Sequence, residues 1–165
     1  MKSQHQVVLS IGSNQGNRLA NIESCIALIH QEVGTVVRVS KLYETPAWGF
    51  ESDAFYNCAL LLHTTSSAQK ILNQVLKVEK QLGRIRSNQE GYQSRVIDVD
   101  IIAFDDEIIH AEKLQIPHPL MQNREFVLLP FQDLKLDWAH PVLQKTISEL
   151  VAVSPDDSVC AVVQS

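Results

Sequence analysis

Asp98 and Asp100 stand two residues apart in the run Arg95-Val96-Ile97-Asp98-Val99-Asp100-Ile101-Ile102. The β-branched residues around them read as a strand. Alternate residues of a strand share a face, so the two carboxylates point the same way. Ile97, Val99 and Ile101 form the opposite, apolar face, and Val96 and Ile102 flank the charges. Such a strand reads as covered on both sides, where ionised carboxylates need a partner or a cation. Two converging hard oxygen ligands suit a Mg²⁺ ion that also holds substrate phosphates. Arg95, just upstream, could hold a phosphate oxygen. The competing reading is a strand that emerges at a sheet edge and pairs its aspartates with lysines. Asp-x-Asp alone divides the two readings evenly.

Other segments carry chemistry-bearing residues. Thr45-Pro46-Ala47-Trp48-Gly49 is a loop with a rigid Pro and a Trp. Phe55-x-Asn57 offers a stacking ring and a planar amide on one face of a strand. Those residues suit a flat heterocycle, but taken by themselves they favour a core Phe and an amide bonded to backbone. Glu79, Arg84 and Arg86 surround the end of a helical stripe, where charges are ordinarily solvated. His118 lies between two prolines, and Arg124 and Phe126 open a helix. Gly12-Ser13-Asn14 lacks the spacing and Lys of a phosphate-binding loop and reads as a packing turn.

Periodicity supplies the elements that must position these groups. Strands are expected over 6–11, 35–43, 55–64, 96–104 and, short, 107–110. Helices are expected over 18–32, capped by Asn17 and stopped by Gly34, and over 68–82, capped by Ser66 or Ser67 and stopped by Gly83. A helix over 124–133 follows, and another around 144–151 fits the less periodic end. The stretches 44–53 and 84–94 read as loops able to act as lids. The first six of these elements give the order β-α-β-β-α-β of an α+β, ferredoxin-like core: a mainly antiparallel sheet flanked by helices.

The chain has 165 residues, 45% of them hydrophobic and 20% charged, the make-up of a globular domain. One domain over 1–165 is expected. The net charge of −5 gives no electrostatic case for nucleic acid. No apolar run is long enough to span a bilayer. The start reads as a strand rather than a signal peptide, which points to the cytoplasm. Cys25, Cys58 and Cys160 are far apart and odd in number, against a disulfide or zinc framework.

Six segments in order carry a resemblance: Ile11-Gly12-Ser13-Asn14, Tyr43-Glu44-Thr45-Pro46, Phe55-x-Asn57, Glu79-x-x-x-Gly83-Arg84-x-Arg86, Arg95-x-x-Asp98-x-Asp100-Ile101, and Pro117-His118 with Asn123-Arg124-x-Phe126. Together they resemble the 6-hydroxymethyl-7,8-dihydropterin pyrophosphokinase family of folate biosynthesis, from the first strand to about Phe131. That family moves the terminal pyrophosphoryl group of ATP to the pterin hydroxymethyl oxygen, releases AMP and uses two Mg²⁺ ions. The resemblance implies that Asp98 and Asp100 hold the metals and, with Arg86 and Arg95, form the catalytic set. It implies pterin contacts from Thr45, Pro46, Ala47, Trp48, Phe55, Asn57 and Phe126, with the two Phe rings sandwiching the pterin. It implies a nucleotide path along Glu79, Arg86, Tyr92, Arg95, Ile101, His118 and Arg124. Small-molecule substrates and a monomer are expected, with neither nucleic acid nor membrane as partner.

One stretch departs from the family pattern. Members usually carry a basic residue, then Trp, Gly and Pro just before the arginine matched by Arg95. Here the stretch reads Gly91-Tyr92-Gln93-Ser94, and the loop is one residue longer. Beside an active pyrophosphokinase, this leaves a pterin-binding paralogue with weak or no catalysis as the alternative. Asp98, Asp100, Arg95 and His118 are retained, which favours the enzyme.

Overall fold

The computed structural model describes residues 4–45, 54–83, 96–156 and 160–163. Strand β1 (His5–Ser13) leads into helix α1 (Arg18–Glu32), where Asn17 Oδ1 accepts the Ala20 N–H at 3.1 Å. Ile22, Cys25 and Ile29 recur at helical spacing and are buried. Gly34 follows α1 with its N–H on the Ile29 carbonyl. A Cβ on Gly34 would sit 3.1 Å from the His63 carbonyl oxygen, so glycine there serves a close approach to the sheet.

The strand expected over 35–43 is two strands, β2 (Thr35–Val39) and β3 (Tyr43–Thr45). A bulge between Val36 and Arg38 twists the first. Ser40 then replaces part of the ladder: its Oγ accepts the Ala59 N–H at 2.8 Å and donates to the Lys41 carbonyl. Both strands pair with β4 (Phe55–Thr64). Helix α2 (Ala68–Gln81) starts on Ser67, whose Oγ accepts the Lys70 N–H, and is followed by Gly83 at φ +96°.

Strand β5 (Asp98–Phe104) begins two residues later than expected. The short strand expected over 107–110 is β6 (Ile109–Ala111), which forms a hairpin with β7 (Leu114–Ile116). Helix α3 (Glu125–Asp133) follows, then α4 (Ile147–Val153) and β8 (Ala161–Val162). Helix α4 starts late because Gln144 has φ +56°; Thr146 and Glu149 form its capping box.

The main sheet is antiparallel in the order β5-β1-β4-β3-β8, with β2 also on β4. That is the expected ferredoxin-like arrangement, with β1 and β4 at its centre. One face packs on α1 and α2 through Val7, Leu9, Ile11, Leu60, Leu62, Val99 and Ile101. The other packs on α3 and α4 through Val8, Ala59, Leu61, Ile102 and Ala103 against Leu128, Phe131, Leu150 and Trp138. Ile102 is the extra residue of a bulge, because Leu9 pairs with Ile101 and Val8 with Ala103. Strict alternation fails there: Ile102 and Ala103 both face α3, and Phe104 returns to the α1–α2 side. Cys25 and Cys58 lie in the core, and burial pushes the Cys58 thiol up to about 12. No helix among the described residues is long and apolar enough to cross a membrane.

Candidate active site

Register places the polar groups. Gly12 of β1 lies opposite Asp98 on one side and Asn57 on the other, and Tyr43 lies opposite Asn57. Directly paired residues share a face. Asp98, Gly12, Asn57 and Tyr43 therefore form one row across four strands on the α3 side. The next row inward is Asp100, Ser10 and Ala59; the next outward is Thr45 opposite Phe55. Asn57 Nδ2 donates to Thr45 Oγ1 at 2.7 Å in a buried contact. Asn57 and Thr45 are each 4% exposed, while Asp98, Asp100 and Phe55 are half-buried.

Gly12 is a site residue whose sequence context reads as a packing turn. It belongs to β1, and a Cβ there would meet Asn57 Oδ1 at 2.9 Å and Phe55 Cδ1 at 3.5 Å. The missing side chain makes room for the Asn57 amide and the Phe55 ring. A glycine inside a strand pattern was the available signal.

The wall comes from the chain around α3. The His118 backbone N–H donates to the Ile102 carbonyl at 3.0 Å, pinning the turn to β5. The Leu120 N–H donates to His118 Nδ1 at 3.2 Å, so the neutral ring carries its proton on Nε2. Burial and the Arg124 guanidinium push the imidazole down from 6.5 to about 4, against the pull of Asp98. At neutral pH His118 is uncharged. The Arg124 guanidinium lies 5.5 Å from the Phe126 ring centroid. Asp156 Oδ2 accepts the Glu125 N–H at 2.8 Å at the start of α3, and Tyr43 Oη donates to Asp133 Oδ2 at 2.7 Å at its end. The C-terminal segment, to which the sequence assigns no role in the site, thus holds the helix that presents Arg124 and Phe126.

Two expected nucleotide residues sit elsewhere. Ile101 is 6% exposed in the α1–α2 core, on the face away from the aspartates. Glu79 is 2% exposed on α2, and its Oε2 accepts the Val99 N–H at 2.7 Å. It grips β5 between Asp98 and Asp100 from the opposite face. Pro46, Ala47, Trp48, Arg86, Tyr92 and Arg95 lie outside the described residues. The structure brings together Thr45, Phe55, Asn57, Asp98 and Asp100, with His118, Arg124 and Phe126 on the elements bordering them.

Comparison with known proteins identifies the family. The family model for 7,8-dihydro-6-hydroxymethylpterin-pyrophosphokinase matches residues 8–136. The chain is 35% identical over 144 residues to the 2-amino-4-hydroxy-6-hydroxymethyldihydropteridine pyrophosphokinase of Aquifex aeolicus, covering 87% of this chain and 88% of that one. It is 36% identical over 138 residues to the Porphyromonas gingivalis protein of the same name, covering 82% of this chain and 93% of the relative. Its fold is similar to a Plasmodium falciparum HPPK-DHPS chain, with a TM-score of 0.76 at 18% identity, over 92% of this chain and 46% of that one. With one family model spanning most of the sequence and relatives alike over nearly their full lengths, the chain belongs to the 7,8-dihydro-6-hydroxymethylpterin-pyrophosphokinase family.

Proposed function

We propose that the chain transfers the terminal pyrophosphoryl group of ATP to the hydroxymethyl oxygen of 6-hydroxymethyl-7,8-dihydropterin, releasing AMP, in folate biosynthesis. The observation that carries this reading is the polar row of Asp98, Gly12 and Asn57, flanked by Thr45 and Phe55, in a chain of this family. The new bond joins the hydroxymethyl oxygen to the β-phosphorus of ATP. The bond from that phosphorus to the α–β bridging oxygen breaks, and the hydroxyl proton leaves.

Asp98 and Asp100 fit Mg²⁺: both are carboxylates, they share a face, and the residues opposite them are the uncharged Gly12 and Ser10. Two Mg²⁺ ions are assigned to this pair, as the family resemblance implies. Bound there, Mg²⁺ would polarise phosphoryl oxygens and offset the charge that gathers on the leaving AMP. The protein's own part is alignment and electrostatics. Phe55 and Phe126 supply stacking faces for the pterin ring, and Asn57 and Thr45 read its edge. Pro46, Ala47 and Trp48 are assigned further pterin contacts. Neutral His118 donates from Nε2 to a phosphate oxygen, and Arg124 adds a fixed positive charge. Arg86, Tyr92 and Arg95 are assigned to the nucleotide, with Arg95 on the transferring group. Glu79 acts on the path indirectly, through its grip on β5, and Ile101 through its backbone.

The reading describes a single-domain, cytoplasmic monomer acting on small molecules. Net charge of −5 argues against nucleic acid as a partner.

A fluorescence titration tests the pterin half directly. With Mg²⁺ and a non-hydrolysable ATP analogue, the dihydropterin should bind saturably to wild type and far more weakly to Asn57→Ala. A flat wild-type titration would remove the pterin assignment.

A further inference from the structure

Arg18, the first residue of α1, plays no part in the site as described. Its contacts converge on the strand pair that carries Thr45 and Phe55. One guanidinium nitrogen donates to the Ala54 carbonyl at 2.7 Å and lies 3.4 Å from Glu44 Oε2. The guanidinium carbon stands 3.9 Å from the centroid of the Tyr56 ring. Glu44 and Tyr56 are themselves paired across β3 and β4, in the row next to Thr45 and Phe55. Adjacent strand residues face opposite ways, so Arg18 holds this pair from the α1 side while Thr45 and Phe55 face the site.

We infer that Arg18 is a positioning residue for the pterin half of the site. The inference rests on the proposed function and deepens it. β3 has three residues, Tyr43–Thr45, and ends at Thr45; β4 begins at its partner, Phe55. A strand pair frays where it ends, and a misplacement of an ångström is costly in a site that works by alignment. At that end Arg18 joins the last backbone carbonyl before β4, the Glu44 carboxylate and the Tyr56 ring in one cluster. The Glu44 pair alone is weak, because Glu44 is 46% exposed. The carbonyl bond and the cation–π contact with Tyr56 give the clamp its geometry, and a planar fork serves both better than an ammonium does. Arg18 contacts neither Asp98 nor Asp100, nor the chain around His118, among the contacts the structure defines. Its influence is confined to the pterin side.

The test is a split between two substrates. In Arg18→Ala, KM for the pterin should rise about tenfold, while kcat and the affinity for an ATP analogue stay within about twofold. Arg18→Lys should recover part of the pterin affinity, by keeping a donor to Ala54, and Tyr56→Leu should reproduce part of the loss. Arg18→Met keeps an unbranched side chain without the charge and carries the same test should the alanine variant unfold. Equal loss of pterin and ATP-analogue affinity, or an unchanged pterin KM in both Arg18→Ala and Arg18→Met, would overturn the inference. A wild-type protein that makes no pterin diphosphate would instead overturn the proposed function, so the two failures are distinct.

Discussion

Along β1, β4 and β5, the face turned toward α3 has two halves built on the same backbone. In one, Val8, Ala59, Leu61, Ile102 and Ala103 meet Val127, Leu128, Phe131 and Trp138. In the other, the same strands present Asp98, Asp100, Ser10, Gly12 and Asn57, with Thr45 beside them on β3. The first half is apolar on both sides of the contact, and each large side chain buried there stabilises by about 1.5–3 kcal/mol. The second half contributes little of that kind. It carries carboxylates and amides whose burial has to be offset by hydrogen bonds or charge. The opposite face, under α1 and α2, stays apolar from Val7 to Ile11, so the strands hold together even where one face is given to chemistry. Stability and function are thus divided by position along the strands, and substitutions in the two halves should fail in different assays.

The sharpest contrast is expected at Asp98. Asp98→Ala should lower turnover by about a thousandfold or more while leaving the melting temperature close to wild type. Product formation and a thermal melt on the same sample check both. Near-normal turnover would end the metal assignment. Phe131→Ala, in the covered half, should do the reverse. Phe131 is 1% exposed, and its truncation should cost about 3–5 kcal/mol of stability by chemical denaturation. Activity per folded molecule should be retained. A smaller effect is expected at Gly12. A Cβ 2.9 Å from Asn57 Oδ1 must displace the amide, so Gly12→Ala should weaken pterin binding about tenfold and stability only slightly.

The last contrast is a pH dependence. Native His118 titrates at about 4, below its value of 6.5 in the unfolded chain. Between these values the unfolded state binds the proton first, so stability falls as pH drops from 6.5 toward 4. Buried His140, also lowered, acts in the same sense. Denaturation at pH 7 and pH 5 should show the loss, and His118→Gln should remove part of it. An unchanged slope in that variant would place the titration elsewhere.

Much of the fold is legible from periodicity, because long amphipathic helices and β-branched strands write their burial into the sequence. The bounds of α1 and β4 agree with that reading. What is lost to sequence depends on one-residue events. Ser40 divides a strand by lending its hydroxyl to Ala59, and the Ile102 bulge turns two neighbours to the same face. β8 is two residues long and has meaning only through its pairing with β3. The site is legible in another way. Asp98 and Asp100 can be paired from alternation alone, but Gly12, Arg18 and Asp156 matter through partners 26 to 45 positions away. Glu79 shows the converse: a charge beside an apolar stripe reads as solvated, yet the structure buries it against a β5 backbone amide.

The central claim is that this polar half transfers a pyrophosphoryl group. The direct test incubates the protein with ATP, Mg²⁺ and 6-hydroxymethyl-7,8-dihydropterin and follows the products by mass spectrometry. AMP and pterin diphosphate are expected in equal amounts. ADP with pterin monophosphate, or no product while the pterin remains bound, would contradict it.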